Sequence, residues 1–213
     1  MRRLFPILLI LVFSLTSCIE IVEEISINEN KSGNISIKIE TGNSGLLLNI
    51  VNNLLGNSYE DQIKAELTKI AGKLKNEKGI ENVDFNINDG EGEYGISCDF
   101  SSTADLNRAL YKAFGYKKPF FAPGYIKAGR HKLKKKNISP YIEQYLEDKK
   151  ITIPDNYIVD MIDYKCIYHL PKGIKSVSND KAEISKDSKT ATIEFPVKEV
   201  LKNKVNTGIK IRF

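Results

Sequence analysis

Near its start the chain places isoleucine at almost every second position. Ile19, Ile21, Ile25 and Ile27 fall on one face of an extended segment, and Glu20, Glu24, Ser26 and Asn28 fall on the other. Successive side chains of a strand point to opposite faces, so this period of two specifies a strand with one dry face. Glu23 is the exception, a carboxylate on the isoleucine side. Asn28 to Asn34 is a polar cluster containing Ser32-Gly33, after which Ile35, Ile37 and Ile39 alternate with Ser36, Lys38 and Glu40. Two such runs joined by a turn read as a hairpin with one wet face, which requires an antiparallel sheet.

The same signal returns twice. Val83, Phe85 and Ile87 alternate with polar residues before the turn Asp89-Gly90-Glu91-Gly92, and the return strand carries Tyr94, Ile96, Cys98 and Phe100. Towards the end, residues 161 to 170 form a strand that stops at Pro171. Residues 182 to 195 read as a further hairpin, Pro196 opens a short helix, and Ile209, Ile211 and Phe213 line a last strand. Between the hairpins the period changes. Ile63, Leu67, Ile70 and Leu74 recur every three or four residues, the stripe of an amphipathic helix over 59 to 76. Leu46 to Leu55 predicts a helix that is either buried or faces something greasy, and Ser102 or Thr103 caps another that carries Leu106, Leu110, Ala113 and Phe114. Helices and antiparallel strands in runs give an α+β fold, with hairpins forming a sheet packed against helices.

The chain has 213 residues, enough for one domain. Its first seventeen residues read as an address instead of structure. Arg2 and Arg3 precede an apolar run from Leu4 to Phe13, too short to span a hydrocarbon core that needs roughly 20 residues. Leu15, Thr16, Ser17 and Cys18 then resemble the lipobox of bacterial lipoproteins. That resemblance implies cleavage after residue 17, a diacylglyceryl group on the Cys18 sulfur and an acyl chain on its amine. More than one chain is needed for stable anchoring. Residues 18–213 are then one α+β domain held at a membrane. Ile19 in the second mature position, in place of the Asp that retains some lipoproteins at the inner membrane, favours the outer membrane. The alternative is an ordinary signal peptide that ends near a cysteine.

With Cys18 assigned to the lipid, Cys98 and Cys166 remain, each on the apolar face of its strand. Two readings compete. Both thiols are separate buried hydrophobes, or they form a disulfide that an export compartment would permit.

From Leu106 to Ile142 there is no acidic residue and there are ten basic ones. The whole chain carries +5; without Arg2 and Arg3 it carries +3, so everything mature outside this stretch sums to −7. The protein is an acidic body with a basic, aromatic-containing insertion at about 115–140. Lys117, Lys118, Lys127 and Arg130, with Lys132, Lys134, Lys135 and Lys136, are the candidates for contact with an anionic surface, and Phe120, Phe121 and Tyr125 for interfacial aromatics. The competing readings are a solvated insertion covering its own core with lysine stems, and a site for an acidic protein or polyanionic glycan. Nucleic acid does not suit an exported protein.

Catalytic signatures are not apparent. His131 and His169 are distant in sequence and show no Cys or carboxylate partner pattern, and no nucleophile elbow, zinc-binding helix, phosphate loop or dinucleotide fingerprint occurs. Two His and three Cys do not suggest a metal centre, and no cofactor is expected.

The mature chain resembles the LppM-like domain of bacterial envelope lipoproteins in the order of its features. A lipobox Cys18 runs directly into a hairpin with a Ser-Gly turn. Leu170-Pro171-Lys172-Gly173-Ile174-Lys175-Ser176-Val177-Ser178-Asn179 looks like that family's strand-Pro-Gly-strand segment, and Asp187 to Ile193 like its polar turn and closing strand. The basic insertion and the lack of a C-terminal membrane helix depart from the pattern. The resemblance implies an α+β envelope domain with no established enzymatic chemistry. The expectation is thus a membrane-anchored, non-enzymatic protein with a binding or scaffolding role, whose partners are the membrane and an anionic lipid, glycan or acidic envelope protein. A carrier for a lipid or other amphiphile is the alternative, and an envelope enzyme the third.

Overall fold

The computed structural model describes residues 19–40, 58–88, 93–113, 124–148 and 157–213. The first hairpin forms as the alternation requires. Strand β1 (Ile19–Ile27) pairs antiparallel with β2 (Gly33–Glu40), placing Ile25 opposite Ile35 and Ile21 opposite Ile39. Gly33 cannot carry a side chain, since a Cβ there would lie 2.0 Å from the Ser26 carbonyl oxygen and 2.6 Å from the Phe100 ring.

Helix α1 (Ser58–Lys75) buries Ala71 and Leu74 and packs on β3 (Ile80–Asn88). Gly79 turns the chain between them with φ +76°, in the left-handed region that glycine enters freely. Strand β4 (Glu93–Phe100) pairs with β3 on one side and β2 on the other. Ser102 then caps α2 (Thr103–Ala113). Its hydroxyl accepts the Asp105 amide at 3.2 Å and donates to the Asp105 carboxylate at 2.6 Å.

Past α2 the basic stretch folds as a second β-structure. Strands β5 (Ile126–Gly129) and β6 (Lys132–Lys135) form a tight hairpin, and α3 (Ser139–Asp148) follows. Asn107 of α2 acts as a surrogate strand edge for β5. Its amide donates to the Ile126 carbonyl at 2.7 Å and its oxygen accepts the Ile126 N–H at 3.0 Å. The remaining elements are α4 (Tyr157–Asp160), β7 (Ile162–His169), β8 (Ser176–Val177), β9 (Glu183–Ile184), β10 (Thr190–Pro196), α5 (Val197–Leu201) and β11 (Ile209–Arg212).

Two sheets result, where the sequence pattern suggested one. The larger has the order β3-β4-β2-β1-β7-β10-β9, and the smaller β5-β6-β11-β8. The expected antiparallel pairing holds except for β1 and β7, which run parallel with Glu23 opposite Cys166. Parallel neighbours need a long crossover, and these two strands are separated by most of the chain. The dry face of the larger sheet and the dry face of the smaller share one core of Ile25, Ile35, Leu106, Ile126, Tyr168, Ile193 and Ile211 with their neighbours. Helix, hairpin and closing-strand expectations at 59 to 76, 80 to 101, 182 to 195 and 208 to 213 match the described elements, and the expected helix over 46 to 55 lies outside the described residues.

Candidate functional site

Glu23, the residue that breaks the isoleucine alternation, is buried in the centre of the larger sheet. Lys135 faces it from β6. On that strand Leu133 and Lys135 point inward while Lys132 and Lys134 point to solvent. The expectation that Lys135 contacts an anionic surface is therefore corrected, because its side chain is 1% exposed. Its ammonium is 3.0 Å from Glu23 Oε2, donates to the Tyr164 hydroxyl at 2.7 Å and approaches Cys166 Sγ at 3.3 Å. The rings of Tyr125, Tyr164 and Tyr168 surround the ammonium with centroids 5.4, 5.0 and 5.9 Å away.

Tyr125 is corrected as well. Its hydroxyl donates to Glu23 Oε2 at 2.5 Å, so this ring belongs to the interior and not to a membrane interface. Tyr164 donates to the same oxygen. Glu23 Oε2 thus collects three donors, while Glu23 Oε1 and the Tyr168 hydroxyl are buried with no hydrogen-bond partner among the described residues.

The electrostatics follow from this crowding. Burial pulls the Lys135 ammonium down, but Glu23 and Cys166 outweigh it and the net shift is upward. Burial, reinforced by the Glu23 carboxylate, pushes the Tyr125 and Tyr164 hydroxyls well above the usual phenol value, and burial followed by Cys166 and Glu23 does the same at Tyr168. Burial also raises both thiols, with Asp99 adding to the shift at Cys98, which reaches about 11.

Cys98 and Cys166 are free and buried, so the disulfide reading is corrected too. Cys98 lies on β4 and Cys166 on β7, with β2 and β1 between them. Three strand spacings amount to about 14 Å, twice the Cα separation a disulfide tolerates.

The opposite face of the smaller sheet is cationic. In one row Lys127 stands opposite Lys134, which stands opposite Lys210; in the next Lys132 stands opposite Arg212. All five side chains are exposed, and the four strands of this sheet contain no acidic residue. Like charges directly opposite on a sheet repel. None of the five is ion-paired among the described residues. By contrast, the larger sheet's outer face is acidic: Asp163, Glu20, Glu40 and Glu93 stand in one row, Lys165 bridges Glu20 at 3.4 Å and Glu194 at 3.1 Å, and His169 meets Glu24 at 2.6 Å. Lys210 and Arg212 escaped sequence reasoning because they sit far from the basic stretch; their alternation with Ile209, Ile211 and Phe213 was the available signal. Arg130 is exposed on the β5–β6 turn, while Lys136 is half-buried and donates to the Tyr141 hydroxyl at 3.0 Å. Leu15, Thr16, Ser17, Cys18, Lys117, Lys118, Phe120 and Phe121 lie outside the described residues.

A groove of about 190 Å³ lies on the outer face of β2, β3 and β4, over Gly95 and between Ser36, Lys38, Asp84, Asn86 and Glu93. Most of its lining residues are polar, although apolar atoms, including those of Tyr94 and Ile96, supply the larger share of its surface. Among the described residues no cluster of His, Cys, Asp and Glu is placed to hold a metal, and no helix is long and apolar enough to cross a membrane.

Fold and site define an α+β domain of two sheets joined by a buried ion pair, with one strongly cationic face. In layout it is similar to the folded domain of LppM from Mycobacterium tuberculosis, determined by NMR. The TM-score is 0.39 and the identity 12%, over 92% of this chain and 90% of that one. This is a weak likeness of layout, from which nothing about the site is carried over. No protein-family model matches the chain, and no curated protein matches it.

Two tests follow from the buried centre. Lys135→Met leaves Glu23 buried without its counter-charge and should cost about 3–5 kcal/mol in urea unfolding, whereas adding Glu23→Leu should recover most of that. A single variant that unfolds at the wild-type urea midpoint would contradict the buried ion pair. The second concerns pH. Lys135, the three tyrosines and both thiols all have raised folded pKa values. The unfolded chain therefore loses these protons first. Stability should hold up to about pH 9 and then fall as pH rises through 10 and beyond. An unchanged unfolding midpoint between pH 8 and about 10.5 would contradict this.

Proposed function

We propose that this protein is a lipid-anchored domain of a bacterial envelope with a binding role and no catalytic one, and that the outer face of the smaller sheet is its binding surface. The observation that carries the reading is the in-register array of Lys127, Lys134 and Lys210 beside Lys132 and Arg212, exposed and without acidic partners among the described residues. An array of like charges on one sheet face raises the energy of the isolated domain, and an anionic surface relieves it. The occupant favoured is a bilayer rich in anionic lipid. Four of its five cations are lysines acting as point charges, and its four strands carry no aromatic residue and no Asn or Gln of the kind a glycan site uses. Each basic side chain brought to such a bilayer contributes about 1 kcal/mol.

The anchor rests on the lipobox-like Leu15, Thr16, Ser17 and Cys18. Strand β1 begins at Ile19, so a lipid on Cys18 would hold the domain against the membrane without a flexible spacer. With Ile19 following the cysteine, the outer membrane is the favoured location.

Two experiments address the two halves of this reading. In a bacterium that processes lipoproteins, Cys18→Ala should move the protein from the envelope to the soluble fraction; a substituted chain that still fractionates with membranes removes the anchor from the account. For the face, the triple variant Lys127→Gln, Lys134→Gln, Lys210→Gln should bind phosphatidylglycerol-rich vesicles about a hundredfold more weakly than the parent, from three contributions of about 1 kcal/mol each. Equal binding by parent and variant overturns the face. If the variant loses binding to a polyanionic glycan or an acidic protein but the parent never binds vesicles, the occupant is misassigned.

A further inference from the structure

Gly95 interrupts the polar outer face of the larger sheet. It is flanked across the strands by Lys38 of β2 and Asn86 of β3, and along β4 by Glu93 and Ser97. Ser36 and Asp84 stand on either side of Ser97, and these six side chains line the groove of about 190 Å³ over the Gly95 backbone. None of the six makes a hydrogen bond or an ion pair among the described residues. The same strands do pair their polar groups a few residues away, where Asn34 and Asn82 donate to Asp99 at 2.8 and 2.7 Å. Ser36 is the sharpest case, because only 7% of it is exposed. A buried hydroxyl without a partner costs free energy, and this one lines the groove, where a bound group would satisfy it. Glycine weakens the interior of a strand, and close approach of a ligand to the backbone is one of its uses there.

We infer that this groove is a binding site for one saccharide ring that carries no acidic group. A pyranose has a rim of hydroxyls and two faces rich in C–H. The groove has the matching layout, with a floor of Gly95 backbone and apolar atoms of Tyr94 and Ile96 inside a border of polar side chains. The carboxylates of Asp84 and Glu93 accept hydroxyl protons, the Lys38 ammonium donates to ring or hydroxyl oxygens, and the Asn86 amide and both serine hydroxyls do either. Two carboxylates stand against one ammonium, and Glu40 adds a third beside Glu93, so a uronic acid or a phosphorylated sugar is disfavoured. An acyl chain would bury these polar groups without giving any of them a partner. A side chain at position 95 would take the floor from the ring, since a Cβ there would lie 3.1 Å from the Lys38 stem. The site lies on the other sheet from the cationic face and does not depend on it.

The test is titration of the purified protein with glucose, N-acetylglucosamine and glucuronic acid, followed through the amide NMR signals of Asn86, Gly95 and Ser97. The two neutral sugars should shift these signals saturably with a Kd of about 1 mM, the range that the few atoms of one ring allow, and glucuronic acid should bind about tenfold more weakly. Gly95→Val fills the floor, keeps all six polar groups and suits a strand, so it should fold and lose the shifts at Asn86 and Ser97. Asp84→Asn combined with Glu93→Gln keeps the shape of the border and should weaken binding about tenfold. Vesicles carrying a monoglucosyl diacylglycerol, run beside plain vesicles, identify the carrier of the ring. Response to the glycolipid alone upholds the site and makes the ring a lipid headgroup, and response to the free sugars upholds it for a soluble glycan. The inference is overturned if neither the neutral sugars nor the glycolipid perturbs the three amides, if glucuronic acid binds best, or if folded Gly95→Val binds as the parent does. Should Gly95→Val not fold, equal binding by the double variant and the parent overturns it instead.

Discussion

The contact between Glu23 and Lys135 is the constraint around which the two sheets are arranged. Both charges sit on strand faces that are otherwise apolar, and neither has a route to water. A slip of one residue in either strand would turn its charge out to solvent and bring a neighbour inward. Only one relative placement of β6 over β1 therefore satisfies both, and Tyr125, Tyr164, Tyr168 and Cys166 are gathered around that placement. Buried ion pairs are poor evidence for net stability. What this one offers is a specification of how the smaller sheet seats on the larger, with apolar packing supplying the driving force.

Much of the architecture was legible because it is written in local periodicities. The isoleucine alternation located β1 and β2, the spacing of Ile63, Leu67, Ile70 and Leu74 located α1, and Pro196 marked the start of α5. Glu23 also stood out as an exception on its own strand. Its partner did not. Lys135 is embedded in a run of lysines, where only Leu133 marks the inward side, so the charge pattern hid the period of two. The pairing spans 112 residues, and the parallel contact of β1 with β7 spans more. Such non-local partners are chosen by the packed sheet and leave no trace in a short window of sequence. The same holds for Lys210 and Arg212, whose strand was visible but whose neighbours were not.

The basic stretch turns out to serve two ends. Its inward residues Ile126, Leu133 and Lys135 build the core, and its outward residues build a charged face that a distant strand completes. Compositional bias alone cannot separate these, since Lys134 and Lys135 are adjacent and chemically identical. Sheet geometry separates them by 180°. The acid-free outer face of the smaller sheet and the acidic outer face of the larger, with its row of Asp163, Glu20, Glu40 and Glu93, also give the domain opposite electrical sides, which orients it in any field from a charged surface.

The position of β1 has a mechanical consequence. It is an interior strand, with eight registered pairs to β2 on one flank and eight to β7 on the other. Tension applied at its first residue runs along the strand axis. Both ladders then bear the load in shear, so their hydrogen bonds must yield together instead of opening one after another. A domain pulled from this point should resist extraction far better than one held by an edge strand.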